Sequence, residues 1–138
     1  MKKLENLDVL MIVVEKTEDH YSAYARDIEG VYGAGDTAAE AKQSILDAIE
    51  LLKEYNSEEN IPNVLKGEYR IKFQFDPASL LSYYQGIFTN AAIERLTGIN
   101  QRQIQRYAAG ESNPRPEQKE KIRNGFHRLG KELIELEL

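Results

Sequence analysis

The sequence predicts an α+β protein, with a small β-β-β-α-β domain at residues 1–75 followed by an all-α helix-turn-helix domain at residues 76–138. Three observations predict this organisation. Short apolar and alternating segments, typical of strands, fill the first part, and one capped amphipathic helix interrupts them. In the second part, residues 89–110 contain two short helical patterns that break at Gly98.

Three strand patterns precede the helix. Residues 7–14 form a near-continuous apolar run, typical of a strand that is covered on both faces or central in a sheet. The polar turn at residues 17–19 and the alternating residues 20–26 predict a hairpin with that strand. The glycine-rich residues 30–35 predict a third strand or a tight return where backbones approach closely. Neither a phosphate loop nor a dinucleotide-binding motif has this glycine spacing.

One helix and a fourth strand complete the first domain. Thr37-Ala-Ala-Glu40 is a capping box, whose hydroxyl and carboxylate can each accept a hydrogen bond from a backbone N–H at the helix start. The apolar stripe that follows consists of Ala38, Ala41, Ile45, Ala48, Ile49, Leu52 and Tyr55. Residues 69–75 then alternate between apolar and polar side chains, which predicts a half-buried strand.

Two further helices frame the second domain. Asp76 is a good N-cap and Pro77 a good first-turn residue, so a helix is predicted to start there. Its apolar positions are Leu80, Leu81, Tyr84 and Ile87. The last helix is predicted at residues 117–138, with a stripe of Ile122, Phe126, Leu129 and Leu133. The apolar residues 133–138 predict packing on a partner subunit.

The turn between the two helical patterns of residues 89–110 is predicted residue by residue. Thr89 or Asn90 caps the helix before it. Gly98 supplies the positive φ that the turn needs, Ile99 packs the turn onto the core, and Asn100 caps the helix after it. This arrangement is the sequence form of a helix-turn-helix, which normally binds DNA as two copies. We therefore expect at least a homodimer.

The helix after the turn predicts a DNA-contacting face. With Ile104 directed inward, Arg102 and Arg106 point away from the core. Arg can bond guanine bidentately, Gln can do so with adenine, and both reach phosphates. The candidate DNA-binding residues are Thr89, Asn90, Asn100, Gln101, Arg102, Gln103, Gln105 and Arg106. Glu94 departs from the pattern, because a small residue is usual four positions before the turn glycine.

The charge differs between the two parts of the chain. Residues 1–85 hold 9 Lys and Arg against 16 Asp and Glu, whereas residues 86–131 hold 9 against 4. The first part would repel a polyanion and the second would attract one. Solvated helix faces would explain the same charges, so the asymmetry favours the DNA-binding hypothesis without deciding it.

Composition excludes several classes of protein. With no Cys and two His that share no local spacing, neither disulfides nor a zinc site are expected. The apolar core at residues 9–14 has acidic neighbours and no small-residue cleavage site, unlike a signal peptide. No run approaches the roughly 18 apolar residues of a membrane span. We expect a soluble, cytoplasmic protein with no cofactor or metal.

The first domain shows no evident catalytic constellation. Asp8 and Glu15 flank the first strand, and the strand at residues 69–75 has only Arg, Lys and Gln on its polar face. The carboxylates of this domain are therefore not expected to converge on one position where they could bind a catalytic metal. His20 stands beside no Ser, Cys or carboxylate partner, as is usual for a surface histidine near a turn. We predict that the chain is not an enzyme and has no catalytic residues.

Residues 20–49 resemble the HicB family of type II antitoxins. That family typically shows an aromatic pair, an Asp-x-x-Gly turn, then Gly-Asp-Thr and Glu-Ala before a helix. Asp27 to Gly30, Gly35-Asp36-Thr37 and Glu40-Ala41 match this order, and the similarity extends over residues 8–56. The chain departs at residues 26, 28 and 29, where a Pro-Asp-Leu-Pro-like turn is usual. The resemblance implies a partial, non-catalytic RNase H-like domain that binds a HicA-like ribonuclease toxin and is joined to an operator-binding module.

Two function classes follow from these patterns. The first is an antitoxin that neutralises a HicA-like toxin and represses its own operon by binding double-stranded operator DNA. The alternative is a stand-alone helix-turn-helix transcription regulator, whose first domain senses a ligand or only dimerises. A neighbouring gene for a small basic protein would favour the first class, and its absence would favour the second.

Overall fold

The computed structural model describes residues 8–138, which form two compact units. The first unit extends to Ser79 and the second runs from Leu80 to Leu138. The division therefore falls inside a helix, Pro77–Tyr84, whereas the sequence placed the boundary between residues 75 and 76. A four-stranded sheet, five α-helices and two short 3-10 helices (Glu58–Asn60 and Asn63–Leu65) make up the regular structure of these residues, which confirms the mixed α+β class.

The first unit is a mixed sheet with one long helix. Its elements are β1 (Asp8–Lys16), β2 (Tyr21–Ala25), β3 (Tyr32–Gly35), α1 (Ala38–Tyr55) and β4 (Tyr69–Phe75). The strand order is β3-β2-β1-β4, in which β2 pairs antiparallel with β1 and β3 while β4 pairs parallel with β1. The predicted hairpin, third strand and fourth strand are all present; the expected start of β1 at Leu7 lies outside the described residues.

The central position of β1 explains its continuous apolar run. β1 has a neighbouring strand on each side, and Ile12, Val13 and Val14 are all buried. From α1, Ile45 and Ile49 are fully buried too, as the helical spacing predicts. Tyr55 was expected on the same stripe but is 75% exposed, because it is the last residue of α1.

The start of α1 is held by a modified capping box. The Thr37 hydroxyl accepts a hydrogen bond from the Glu40 N–H at 3.0 Å. The Glu40 carboxylate accepts one from the Asp36 N–H at 2.8 Å, one residue earlier than the cap residue itself. Both interactions fix the point at which the chain leaves β3 and enters α1.

Glycine allows α1 to lie directly against β3. A Cβ atom at Gly33 would lie 2.5 Å from the Ile45 backbone nitrogen and 2.9 Å from the Ala41 carbonyl oxygen. A Cβ at Gly35 would lie 2.8 Å from the Ala41 backbone nitrogen. Backbone atoms cannot move aside as the end of a flexible side chain can. The glycine-rich segment therefore serves helix–sheet packing, which agrees with the predicted close approach of backbones.

The second unit contains the end of one short helix and three complete helices. These are α2 (Pro77–Tyr84), α3 (Asn90–Thr97), α4 (Gln101–Ala108) and α5 (Pro116–Ile134). Their common core consists of Leu81, Ile93, Ile99, Ile104, Tyr107, Ala108 and Ile122, with Leu80, Phe88 and Phe126 packed against it. Within residues 8–138, no helix is long and apolar enough to cross a membrane.

Three sequence expectations for this unit need correction. α2 ends at Tyr84, and Ile87, expected on its apolar stripe, is 66% exposed. α5 ends at Ile134 rather than Leu138. Leu133, expected on the buried stripe of α5, is mostly exposed because it lies one residue from the helix end. Periodicity predicts which side of a helix is apolar, but not how far the neighbouring helices extend along it.

A second close backbone contact joins α5 to α3. A Cβ atom at Gly125 would overlap the Leu96 carbonyl oxygen and lie 3.3 Å from the Thr97 Cα. One turn further along α5, the Arg128 guanidinium donates to the same Leu96 carbonyl at 2.8 Å. This carbonyl belongs to the last turn of α3, where no intrahelical donor is available, so α5 supplies one.

Replacing Gly33 by Ala should destabilise the first unit by about 3 kcal/mol, because the new methyl group has only backbone atoms to displace. The control is Ala34→Ser, which adds an atom at an exposed position of the same strand and should change stability by less than about 0.5 kcal/mol. Native-state hydrogen exchange at the amides of Ile45 and Ile49 measures the effect within this unit. Equal exchange in both variants would contradict the packing role of Gly33.

Candidate functional site

The turn between α3 and α4 is held by hydrogen bonds and by one buried side chain. Gly98 has a φ of +77° and its N–H donates to the Glu94 carbonyl at 2.7 Å, which ends α3. The Thr97 hydroxyl donates to the Ile93 carbonyl at 2.8 Å and accepts from the Ile99 N–H at 3.2 Å. The Ile99 side chain is 3% exposed, so it fixes the turn to the core. The predicted roles of Gly98 and Ile99 are confirmed.

Both helices beside this turn have side-chain caps at the predicted positions. The Thr89 hydroxyl accepts from the Ala92 N–H at 3.1 Å, so Thr89 rather than Asn90 caps α3. The Asn100 amide oxygen accepts from the Arg102 N–H at 2.8 Å at the start of α4. These bonds satisfy backbone donors that a helix start leaves without partners, and they set the direction in which α4 leaves the turn.

Glu94 adds another cap to α4. Its carboxylate accepts from the Gln101 backbone N–H at 2.8 Å, although the two residues lie on different helices. A negative charge near the positive end of the α4 dipole is favourable. A small residue at position 94 could not reach this N–H. The departure that the sequence shows at Glu94 therefore has a structural use, which local pattern alone did not indicate.

α4 has one buried face and one exposed polar face. Ile104, Tyr107 and Ala108 pack into the core as predicted. The exposed residues Gln101, Arg102, Gln105 and Arg106 form what we call the α4 face. Gln103 lies at its border, partly buried, with its amide nitrogen 3.4 Å from the Ser112 hydroxyl.

The two arginines of the α4 face are available to a partner. Neither Arg102 nor Arg106 forms an ion pair within the part of the chain that the structure describes. The α4 helix itself contains no Asp or Glu, as the sequence shows. By contrast, Arg123 on α5 is paired with Glu120.

A network of three side-chain amides orients Gln105. The Gln85 amide nitrogen donates to the Asn90 oxygen at 2.8 Å and to the Gln105 oxygen at 3.1 Å. The Asn90 amide nitrogen also donates to the Gln105 oxygen at 3.1 Å. The Gln105 oxygen thus accepts two bonds, and its NH₂ group remains as a donor on the exposed face. Gln85 was not among the sequence candidates, because it is 20 residues from Gln105 and no local pattern connects them.

The first unit exposes an apolar patch with acidic neighbours. Tyr32 is 68% exposed and Leu51 is 53% exposed, and both line a shallow depression on α1 and β3. The remaining lining residues are Glu40, Gln43, Ser44, Asp47 and Ala48. We call this depression the α1–β3 patch. Its carboxylates and apolar side chains together suit a protein surface that is both basic and apolar.

The side chains considered for catalysis lie apart from one another. His20 lies in an exposed turn, with its Nδ1 atom 3.1 Å from the Thr17 hydroxyl. Among residues 8–138, no group of three or more His, Cys, Asp or Glu is arranged to hold a metal ion. The Thr17–His20 pair holds the β1–β2 turn, where the Thr17 N–H also donates to the His20 carbonyl at 2.8 Å.

Comparisons of the chain with protein-family models, with curated proteins and with solved structures found no match. The resemblance to the HicB family therefore depends on the residues quoted from the sequence. The geometry of the α4 face and of the α1–β3 patch supplies separate observations, which do not depend on that resemblance.

Glu94→Ala should lower the free energy of unfolding of the second unit by about 1 kcal/mol, as the loss of a helix cap usually does. The matched variant is Glu94→Gln, which keeps an oxygen acceptor and should lose less. Hydrogen exchange at the Gln101 amide reports the broken bond directly, and urea unfolding reports the stability. The capping role is wrong if the Ala and Gln variants behave alike in both measurements.

Proposed function

We propose that this chain is the antitoxin of a type II toxin–antitoxin pair. The second unit would bind the operator of its own operon, and the first would bind and neutralise a HicA-like ribonuclease toxin. The observation that carries the DNA-binding part is the α4 face, in which two arginines without ion pairs and two exposed glutamines follow a turn fixed by Gly98 and Ile99.

α3, the turn and α4 would act as a helix-turn-helix, with α4 in the major groove. Arg102 and Arg106 would read guanine or contact phosphates, because a guanidinium can bond either. Thr89 and Asn90 lie at the start of α3, a position from which such a motif meets the DNA backbone. At the start of α4, Glu94 and Asn100 already cap the backbone N–H groups, so Gln101 would contribute its side chain only. Two copies on neighbouring half-sites would bind more specifically than one.

The amide network limits which base groups Gln105 would recognise. A glutamine reads adenine by accepting with its oxygen and donating with its nitrogen. Because Gln85 and Asn90 already occupy the Gln105 oxygen, the nitrogen alone would meet a base. Gln105 would therefore donate to an acceptor in the major groove, such as guanine O6 or N7 or thymine O4.

The first unit supports the toxin-binding part of the proposal. It has three antiparallel strands, then a helix and a strand parallel to β1, and this order supports the partial RNase H-like domain that the resemblance implies. The α1–β3 patch offers Glu40 and Asp47 beside Tyr32 and Leu51, which fits a basic toxin.

Replacing both Arg102 and Arg106 by Ala should weaken sequence-specific DNA binding about a hundredfold or more, because each substitution removes a contact between a guanidinium and a base or phosphate. The probes are the DNA upstream of the gene and sites selected from a random pool, measured by mobility shift. The control is Arg26→Ala with Lys66→Ala, which removes the same charge from exposed positions of the first unit. Undiminished binding by the Arg102, Arg106 variant would show that α4 is not the reading helix.

A growth-rescue assay with the toxin gene beside this gene tests the other unit. Leu51→Glu should abolish rescue, because it places a charge in the apolar part of the α1–β3 patch. The Arg102, Arg106 double variant should rescue fully, since DNA binding is not needed for neutralisation. Ile87→Glu, at a similarly exposed apolar position of the second unit, is the matched control.

This assay also separates the antitoxin from the stand-alone regulator. Rescue that survives Leu51→Glu would mean that the toxin binds elsewhere. DNA binding in the absence of any toxin gene near this one would favour the regulator, in which the first unit senses a ligand or dimerises.

A further inference from the structure

The second unit leaves a dense apolar segment uncovered. At residues 133–138, Leu133, Ile134, Leu136 and Leu138 are all mostly exposed, with Ile134 at 86% and Leu136 at 64%. Scattered exposed leucines are normal on a protein surface, but four aliphatic residues within six positions are a contiguous patch. A patch of this kind usually marks a binding surface.

A groove lined by apolar and charged side chains lies beside this segment. Phe88, Ala92, Leu96 and Leu129 supply its apolar surface, and Arg95, Arg128 and Glu132 complete its lining. We call it the α3–α5 groove; its volume is about 340 Å³. The exposure of residues 133–138 shows that the segment does not fill the groove of its own chain.

The charges of the segment and the groove are complementary. Glu135 and Glu137 alternate with the apolar residues of the segment. The groove offers the guanidinium groups of Arg95 and Arg128 beside its apolar floor, against the single carboxylate of Glu132; Arg128 also donates to the Leu96 carbonyl. The leucines of the segment can therefore contact the apolar floor of the groove while its glutamates contact the arginines. Complementary charges of this kind give an interface its specificity.

We infer that two copies of this chain pair through α5, with the 133–138 segment of each copy in the α3–α5 groove of the other. Arg128, Leu129 and Glu132 of the groove lie immediately before the segment on α5. Each chain supplies one segment and one groove, so a two-fold arrangement covers both segments at once. The interface is then self-complementary and closes as a two-fold dimer, with no surface left to add a third copy.

This inference gives the homodimer of the proposed function a specific surface, and rests on that part of the proposal alone. DNA binding and toxin binding are not needed for its test.

Disulfide cross-linking tests the surface directly, because the chain contains no cysteine. Ala92→Cys in the groove and Leu136→Cys in the segment are made in separate full-length chains of different mass, mixed, and oxidised. A covalent heterodimer of the two chains is expected, and a cross-link within one chain is impossible. Ala92→Cys mixed with Leu51→Cys is the control, since Leu51 is similarly exposed but lies in the first unit. A heterodimer yield no higher than this control overturns the inference.

Analytical ultracentrifugation gives a second readout without cysteines. Leu136→Ser should raise the dimer dissociation constant about a hundredfold, because the two-fold symmetry removes two buried leucines at once. Leu51→Ser should leave it unchanged. A chain that stays monomeric contradicts both this surface and the proposed homodimer. A dimer that is insensitive to Leu136→Ser and gives no 92–136 cross-link refutes this surface, but leaves the DNA-binding proposal with a dimer formed elsewhere.

Discussion

Backbone contact at glycine is the constraint on which each unit depends. In the first unit, Gly33 and Gly35 let α1 lie on β3 at a distance that any side chain would prevent. In the second, Gly125 lets α5 press on the last turn of α3 at Leu96. These contacts involve main-chain atoms on both sides, so they cannot relax by a change of rotamer. They limit where the helices can lie, and the apolar side chains pack between elements held at these distances.

The contact at Gly125 bears directly on the candidate DNA-binding site. It holds Leu96 and Thr97, the two residues that precede the turn at Gly98. From the turn onward, Ile99 and Ile104 are buried in the same core, so α4 has little freedom to tilt. A helix that is to place a few side chains against base edges needs this rigidity, because its contacts must be held within a narrow range of geometry.

Much of this framework could be predicted from sequence because its signals are local. The caps at Thr37, Thr89 and Asn100 and the positive φ at Gly98 each follow from residues within a few positions of one another. What could not be predicted depends on contacts between distant residues. The amide network joins Gln85 to Gln105, which are 20 residues apart. The exposure of Leu133 depends on how far α5 extends past the helices that pack against it. Glu94 lies between these cases. The sequence shows that a glutamate departs from the usual small residue at this position, but it does not show that the carboxylate accepts from the Gln101 N–H on α4.

The cap by Glu94 also limits how α4 would contact DNA under the proposed function. A helix start often binds phosphate through its free N–H groups and its dipole. Here the Asn100 side chain occupies the Arg102 N–H and the Glu94 carboxylate occupies the Gln101 N–H, adding a negative charge beside them. A phosphate would meet repulsion at this point rather than free donors. Binding to DNA through α4 would therefore depend on the side chains of Arg102, Gln105 and Arg106 rather than on the backbone donors of the helix start, and α4 itself contains no carboxylate.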